Sequence, residues 1–519
     1  MADTFHLHHD VLVIGGGMAG AWAALAAARQ GARVVLVDKG YCGTSGVTAT
    51  AGPGHWWVPP AQREEAVRQR AEAGAGLADP RWMRRIIETT WTTLPTLAPY
   101  YDFPSDALGR PVFRALRGPE YMRSLRRWLE QAGVLILDHH PALHLLRDPE
   151  GAVAGAEGLR RPDGRPWRIE AGAVVLASGG CAFRDRLLGA DNNTGDGLLM
   201  AAEAGAELSG MEFTSFYTVA PVFSNMTRAM SYVFARYLDA DGRELEVPAG
   251  PAANPVLARA LAQGPVWCSL ERMPQDLREI LHHISPNVML PFQRRGIDPF
   301  KDRFEITLRG EGTVRGIGGL KVESDACETL VPGLFVAGDA ASRELVAGAV
   351  SGGGNINSAW ALSSGCWAGA GAAERARRQR PGASRSVALA PLGNAQELSA
   401  PALQRIVHEV RHVVLDPCRN LFREAAQLQQ GLQLLDRHWQ WLRRQARPEG
   451  IAQLPLRETL ALVASARWSL LAALTRRESR GMHQRTDAPT SHPDWARRLP
   501  VGGLDQTWIE CPADLRRRA

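Results

Sequence analysis

The chain has 519 residues, 45% of them hydrophobic, with 60 basic and 54 acidic residues for a formal net charge of +6. That length and apolar content suffice for two to four domains by the usual soft prior and for a large buried core, which excludes a disordered chain. Only Lys39, Lys301 and Lys321 among the basic residues are lysines; the arginines are scattered, and runs such as Arg516 to Arg518 fit solvated faces or a tail better than a nucleic-acid-binding stripe.

The seven cysteines never fall close together, so no zinc knuckle or iron–sulfur ligand run is expected, and no metal site is assigned. No charged segment leads into a secretory-type apolar stretch, and no apolar run is long enough to span a bilayer. A cytoplasmic location is the expectation. His6, His8 and His9 read as a flexible histidine-rich terminus rather than as metal ligands.

Val11-Leu12-Val13-Ile14 is a continuous apolar run that predicts a buried parallel strand, and Gly15-Gly16-Gly17-Met18-Ala19-Gly20 follows it directly. Gly15 permits the tight turn, Gly17 lets backbone amides approach a pyrophosphate, and Gly20 lets a helix from Ala21 to Gln30 pack on the sheet. A second strand, Val34 to Val37, ends in Asp38, about twenty residues past the glycines, where a carboxylate accepts hydrogen bonds from a ribose diol. Strand, glycine turn, helix and acid in register point to a dinucleotide, FAD or NAD.

Two later segments return to the same chemistry. Val174 to Gly180 reads as another buried strand, after which Asn193-Thr194-Gly195-Asp196-Gly197 opens an alanine-rich helix through Ala204. Gly333-Leu334-Phe335-Val336-Ala337-Gly338-Asp339 is a strand followed by a second acid placed for a ribityl or phosphate group, which FAD needs and NAD does not. Ser351-Gly352-Gly353-Gly354-Asn355 precedes a helix from Ala359 to Ala370, whose N-terminal amides suit the negative charge of a reduced isoalloxazine.

These residues resemble the flavoprotein family of succinate dehydrogenase, fumarate reductase and L-aspartate oxidase, to which the adenylylsulfate reductase flavoprotein is also similar. The resemblance rests on the first glycine motif, NTGDGLLMAAEAGAELSGMEFTSF from Asn193 to Phe216, GIDPFKDRFEI from Gly296 to Ile306, GGLKVESDACETLVPGLFVAGDAA from Gly318 to Ala341, and RESRGMHQRTD from Arg477 to Asp487. It implies an α/β fold: a Rossmann-like FAD-binding domain in two parts, residues 1–225 and 325–380, split by an α+β capping domain, 226–324. A linker, 381–399, within the Pro, Gly and Ser-rich stretch from Gln379 to Ala400, leads to a C-terminal helical domain, 400–519. That last domain also stands on periodicity, since Leu403, Ile406, Val407, Val410, Val413 and Val414 make one apolar stripe and Leu456, Leu460, Val463, Leu470 and Leu474 contribute to another.

The expected cofactor-binding set is Gly15, Gly17, Met18, Ala19, Gly20, Asp38, Lys39, Thr44, Ser45 and Gly46 from the first segment; Ala177, Ser178, Gly179, Asn193, Thr194 and Asp196 from the second; and Gly338, Asp339, Gly354, Asn355 and Ile356 from the third. The chain also departs from its relatives. Succinate and fumarate enzymes grip carboxylates with a histidine before the capping-domain Gly-Gly and an arginine after the second acid; Val314 and Ser351 stand there instead. The HPT that follows MEFxxF is replaced by Tyr217-Thr218-Val219, and glycine, at Gly46, replaces the histidine that binds flavin covalently in some relatives. Noncovalent FAD and a substrate other than succinate or fumarate are therefore expected. His55, Trp56 and Trp57 read either as an aromatic wall by the flavin or as interface packing, and Tyr217, Arg315, His55 and Arg278 are the candidates for managing a proton. Three roles follow: an FAD-dependent oxidoreductase of a small organic substrate, a flavoprotein subunit served by an iron–sulfur or ferredoxin-like partner, or a flavin-binding sensor or assembly protein without turnover.

Overall fold

The computed structural model describes residues 4–106, 108–113, 116–225, 227, 232–248, 252–284, 286–378, 384–390, 392, 399–446 and 448–511. Arg516 to Arg518 and much of the stretch from Gln379 to Ala400 lie outside the described residues. Val11 to Ile14, Val34–Val37 and the end of Pro166–Leu176 are almost wholly buried, as apolar runs must be when both faces of a parallel sheet are covered. They form the centre of an eight-stranded sheet in which Leu135–Leu137, Val34–Val37, Phe5–Ile14 and Pro166–Leu176 lie side by side in parallel.

Pro166–Leu176 then forks. Its first half pairs antiparallel with Val153–Leu159 and its second half pairs parallel with Leu334–Val336, so the late segment after Gly333 rejoins the sheet beside the first two. Ala142–Arg147 and Arg385–Ser386 extend the antiparallel wing. His6, His8 and His9 are not in a loose terminus: they belong to the strand Phe5–Ile14, where each pairs in register with Pro166–Leu176, and His8 Nδ1 lies 3.2 Å from the Glu170 carboxylate. Backbone pairing with a long neighbouring strand overrides their polar composition.

Two helices cover one face of this sheet in backbone contact. Met18–Arg29 begins one turn earlier than expected, and Gly353–Arg378, at 26 residues, extends well beyond the expected 359–370 at both ends. They approach so closely that a Cβ on Gly365 would lie 2.4 Å from the Ala19 carbonyl oxygen, and one on Gly369 would lie 2.0 Å from that of Ala23.

The cap is an antiparallel sheet in the order Tyr217–Pro221, Phe304–Gly310, Val266–Ser269, Arg236–Leu238, packed around its own apolar cluster of Phe292, Phe304, Leu257 and neighbours. Its edge strand starts at Tyr217, earlier than residue 226, because Phe304–Gly310 takes it as its antiparallel partner. In the C-terminal region Ala400–Leu415, Ala425–Arg443 and Gln453–Thr475 pack as helices, with Leu403, Ile406, Val410, Leu456, Leu460 and Val463 buried. That region is not wholly helical. Val501–Gly502 and Trp508–Ile509 join Leu208–Ser209 and Gly319–Leu320 in a second four-stranded sheet, covering an edge that would otherwise present unpaired backbone groups. Among the described residues no helix is long and apolar enough to cross a membrane.

Candidate functional site

The C-terminal ends of the parallel strands open into a cavity of about 1300 Å³, walled on its other side by the cap and by residues of the RESRGMHQRTD segment. Ligands of open parallel α/β sheets bind at that end of the strands. The volume exceeds the roughly 300–1,000 Å³ of an ordinary small-molecule site, leaving room for a dinucleotide and a second molecule.

The three motif glycines meet different neighbours. Gly15 has φ +111°, and a Cβ there would lie 2.4 Å from the Ala177 carbonyl oxygen; one on Gly20 would lie 1.8 Å from the Gly15 carbonyl oxygen. Gly20 therefore serves packing and does not line the cavity. Gly17 lines the cavity, and a Cβ there would meet no protein atom within 4 Å. Its φ of −71° suits any residue, so the need for glycine comes from the cavity side. It is also the N-cap of Met18–Arg29 and provides no side-chain cap, which leaves first-turn amides for an anion beside Met18 and Ala19.

Asp38 is 7% exposed and accepts hydrogen bonds from Gly16 N at 2.6 Å, Gly40 N at 2.7 Å and Ser45 Oγ at 2.8 Å. A carboxylate offers about four acceptor directions, so one remains for a ribose hydroxyl. Lys39 lines the cavity, but its ammonium donates to Asp196 Oδ2 at 2.7 Å and Thr194 Oγ1 at 2.8 Å and pairs with Glu458 Oε1 at 2.6 Å. Burial works against its charge, yet the two carboxylates hold its pKa above the usual value. Lys39 thus clips the second segment and the C-terminal region to the first.

Ser45, Gly46, Ala177, Ser178, Gly179, Asn193, Asp196, Gly338 and Asp339 all line the cavity. Asp339 is held by the fully buried Arg343, whose guanidinium also donates to the Thr313 and Val314 carbonyls. Thr44 and Thr194 do not line it: Thr44 is exposed, and Thr194 stands behind Asp196, donating to its Oδ1 at 2.9 Å. In the third segment Gly354 lines the cavity, whereas Asn355 is exposed and Ile356 is buried away from it. The residues that share the cavity with Gly354 are Asn357, Ser358 and Ala361, because a helix turns one face to a ligand at spacings of three, four and seven.

The catalytic candidates divide. Tyr217 and Arg315 line the cavity; His55 and Arg278 do not. Tyr217 is tied down, its hydroxyl donating to the Leu415 carbonyl at 3.1 Å and accepting from Asn420 Nδ2 at 3.0 Å, while burial pushes its pKa up. Arg315 carries its guanidinium 4.7 Å from the centre of the Phe216 ring. His55 is 3% exposed, with Nε2 3.4 Å from the Tyr121 hydroxyl, and burial pushes its pKa down to about 3. Arg278 donates to the Met273 and Glu271 carbonyls at 2.7 and 2.6 Å, within the cap. Nor do the tryptophans form a wall for a ligand. Trp57 stacks between Trp91 and Phe113, with centroids 4.3 and 4.4 Å away, and Trp56 packs on the core.

Sequence reasoning missed Arg70, Asn357, Met482 and Gln484 on the cavity wall. Arg70 sits in the strongly polar helix Arg63–Ala73, and its Nη2 reaches the carbonyls of Ala347, Val350 and Ser351 at 3.1 to 3.2 Å. No periodicity distinguishes it from its solvated neighbours. Asn357 keeps both amide atoms buried without a hydrogen-bond partner, as does Ser178 with its hydroxyl. Unpaired buried polar atoms beside a glycine cradle fit a polar cofactor that completes them.

Fold and cradle define a flavin-dependent oxidoreductase. The FAD dependent oxidoreductase family profile matches residues 10–202, and that of the Fumarate reductase flavoprotein C-term matches residues 408–510. The L-aspartate oxidase of Mycobacterium tuberculosis is 28% identical over 97% of this chain and 97% of its own length, and that of Streptomyces coelicolor 26% over 95% and 91%. One subunit of the CoM/CoB fumarate reductase of Methanothermobacter marburgensis is 25% identical over 94% and 96%. Among solved structures, Mycobacterium smegmatis Sdh1 superposes with a TM-score of 0.81 at 23% identity, over 98% of this chain and 94% of that one. The adenylylsulfate reductase of Archaeoglobus fulgidus does so with 0.75 at 17%, over 98% and 96%. Both profiles and these relatives make the chain similar, along nearly its whole length, to the FAD flavoproteins of the succinate dehydrogenase, fumarate reductase and L-aspartate oxidase type.

Proposed function

We propose that the chain holds FAD without a covalent link and oxidises or reduces a small organic substrate that is not a simple dicarboxylate. The observation that carries this reading is the pair Val314 and Ser351, both on the cavity wall, at the places where the resemblance puts carboxylate-gripping histidine and arginine. Charge-assisted hydrogen bonds contribute roughly 1.5–3 kcal/mol each, so losing both removes several kcal/mol of dicarboxylate binding. Gly46 lines the cavity, has φ +84° and places no side chain there to bond the ring.

Bound FAD supplies two-electron chemistry as a hydride acceptor or donor. The cap shields the cavity from water, and Asp38, Asn193, Asp196 and the first-turn amides after Gly17 hold the dinucleotide. Arg315 is the cationic side chain that meets substrate from the cap side and holds the proton-bearing position; Tyr217 fixes the cap to the C-terminal region. Anaerobic mixing with succinate, fumarate or L-aspartate should leave the flavin spectrum unchanged after its reduction or oxidation by a neutral substrate has been established. Turnover of any of the three would overturn the reading. Ser351→Arg alone should not create fumarate reduction, because the histidine position stays Val314 and the Arg70 guanidinium already occupies the Ser351 carbonyl.

A second reading is favoured by one observation: the Methanothermobacter marburgensis relative is one subunit of its enzyme, and the match covers 96% of its length. On that reading an iron–sulfur or ferredoxin-like partner carries the electrons. A brown chain co-purifying with this one supports it, and a yellow single chain that reacts with oxygen during turnover counts against it.

A further inference from the structure

We propose that the cap end of the cavity receives a neutral, largely apolar molecule bearing a single carbonyl or hydroxyl group, rather than an organic acid; this deepens, and rests on, the FAD-oxidoreductase reading above. The side chains that the cap turns to the cavity include Phe216, Val219, Tyr232, Val233, Tyr237 and Val247. They come from different parts of the cap, its edge strand, the strand Arg236–Leu238 and the segments flanking them, yet present one kind of surface. Val233 is 64% exposed, an apolar side chain left uncovered on the cavity wall.

Most polar groups in the same region are already engaged by the protein, while the Thr227 and Tyr232 hydroxyls are buried on the wall without a hydrogen-bond partner and can each meet one oxygen of a neutral ligand. Thr218 Oγ1 donates to Glu311 Oε1 at 2.7 Å, Asn254 Nδ2 donates to the Tyr217 carbonyl at 3.0 Å, and the Tyr217 hydroxyl bridges Leu415 and Asn420. On the opposite wall Arg70 directs its Nη2 to three carbonyls. Among the described residues that the cap contributes to the wall, Arg315 is the one charged side chain, seated over Phe216. Arg228 lies outside the described residues. A dicarboxylate brought here exchanges the hydration of two charges for largely apolar contact, two hydroxyls and one cation, whereas a neutral molecule exchanges apolar hydration for apolar contact and can direct its one oxygen to Arg315 or to a hydroxyl of Thr227 or Tyr232. The volume agrees, since the space beyond a dinucleotide admits more than a four-carbon acid.

The test uses the purified full-length holoprotein and a matched pair of probes, 2-cyclohexen-1-one and cyclohex-1-ene-1-carboxylate, with fumarate and L-aspartate alongside. Binding is read as saturable perturbation of the flavin absorbance. The enone should bind at least about tenfold more tightly than the carboxylate of the same ring, with fumarate and L-aspartate weaker still. Val247→Lys should weaken the enone by about tenfold or more while leaving the flavin content at the wild-type level, which shows that the variant is folded. Equal or reversed affinities, or no perturbation by the enone, overturn the proposal while the flavin reading stands. A colourless protein overturns the flavin reading and this proposal with it.

Discussion

Gly17 and Gly20 are three residues apart in one motif, yet a Cβ at the first meets open cavity and at the second meets the Gly15 carbonyl oxygen at 1.8 Å. The two substitutions should therefore fail in opposite ways. Gly17→Val is expected to fold with an unchanged Tm in the absence of flavin but to retain no FAD, whereas Gly20→Val should lose stability by about 1–3 kcal/mol or more through overpacking. Thermal melts of the flavin-free proteins and flavin absorbance after purification separate them; a yellow Gly17→Val would remove the glycine from the ligand side. His55 gives a pH prediction. Its folded pKa of about 3 lies below its ordinary 6.5, so its contribution to stability is complete above pH 6.5. As the pH falls from 6.5 towards 3, the unfolded chain takes up the proton first and stability falls by up to about 1.4 kcal/mol per pH unit. His55→Phe should make that decline shallower in urea unfolding followed from pH 7.5 to pH 4, and parallel profiles would show that His55 is not buried neutral. The role of His55 was not legible in the sequence, because an imidazole between glycine and tryptophan reads the same whether it faces a ligand or the Tyr121 hydroxyl.

Helix Gly353–Arg378 carries two tasks in one element, a first turn on the cavity and a glycine face on Met18–Arg29. The sequence showed the helix but not its length, since its polar first turn reads as loop until its backbone is seen to continue. It also could not show that Gly354, Asn357, Ser358 and Ala361 share a face, while Asn355 and Ile356 do not, until the helical phase was known. Gly369→Val should push the two helices apart, because the Cβ position lies 2.0 Å from the Ala23 carbonyl oxygen and backbone cannot rotate away. A loss of about 1–3 kcal/mol is expected in urea unfolding, accompanied by weaker FAD retention as the glycine turn shifts. Wild-type stability and flavin content in that variant would mean that the helices are not in backbone contact.

Across the whole molecule, the parts legible in the sequence were those where a short segment carries its own physical requirement: apolar strand, glycine turn, acid at a strand end. The fork of Pro166–Leu176 turns those separate segments into one cavity wall; their shared glycine-and-acid pattern pointed to one cofactor but not to the fork itself. The cap end was less legible, since its character depends on which side chains of an antiparallel sheet face inward and which polar groups neighbours from the C-terminal region have already engaged. Two strands near the C-terminus escaped notice because each spans only two residues and owes its pairing to Leu208–Ser209 and to the other. The claim on which the rest depends is that these converging segments hold one FAD without a covalent bond. Acid precipitation of the purified full-length protein tests it most directly: the supernatant should contain close to one FAD per chain and the pellet should be white, whereas a colourless starting protein, or flavin that stays with the pellet, would contradict it.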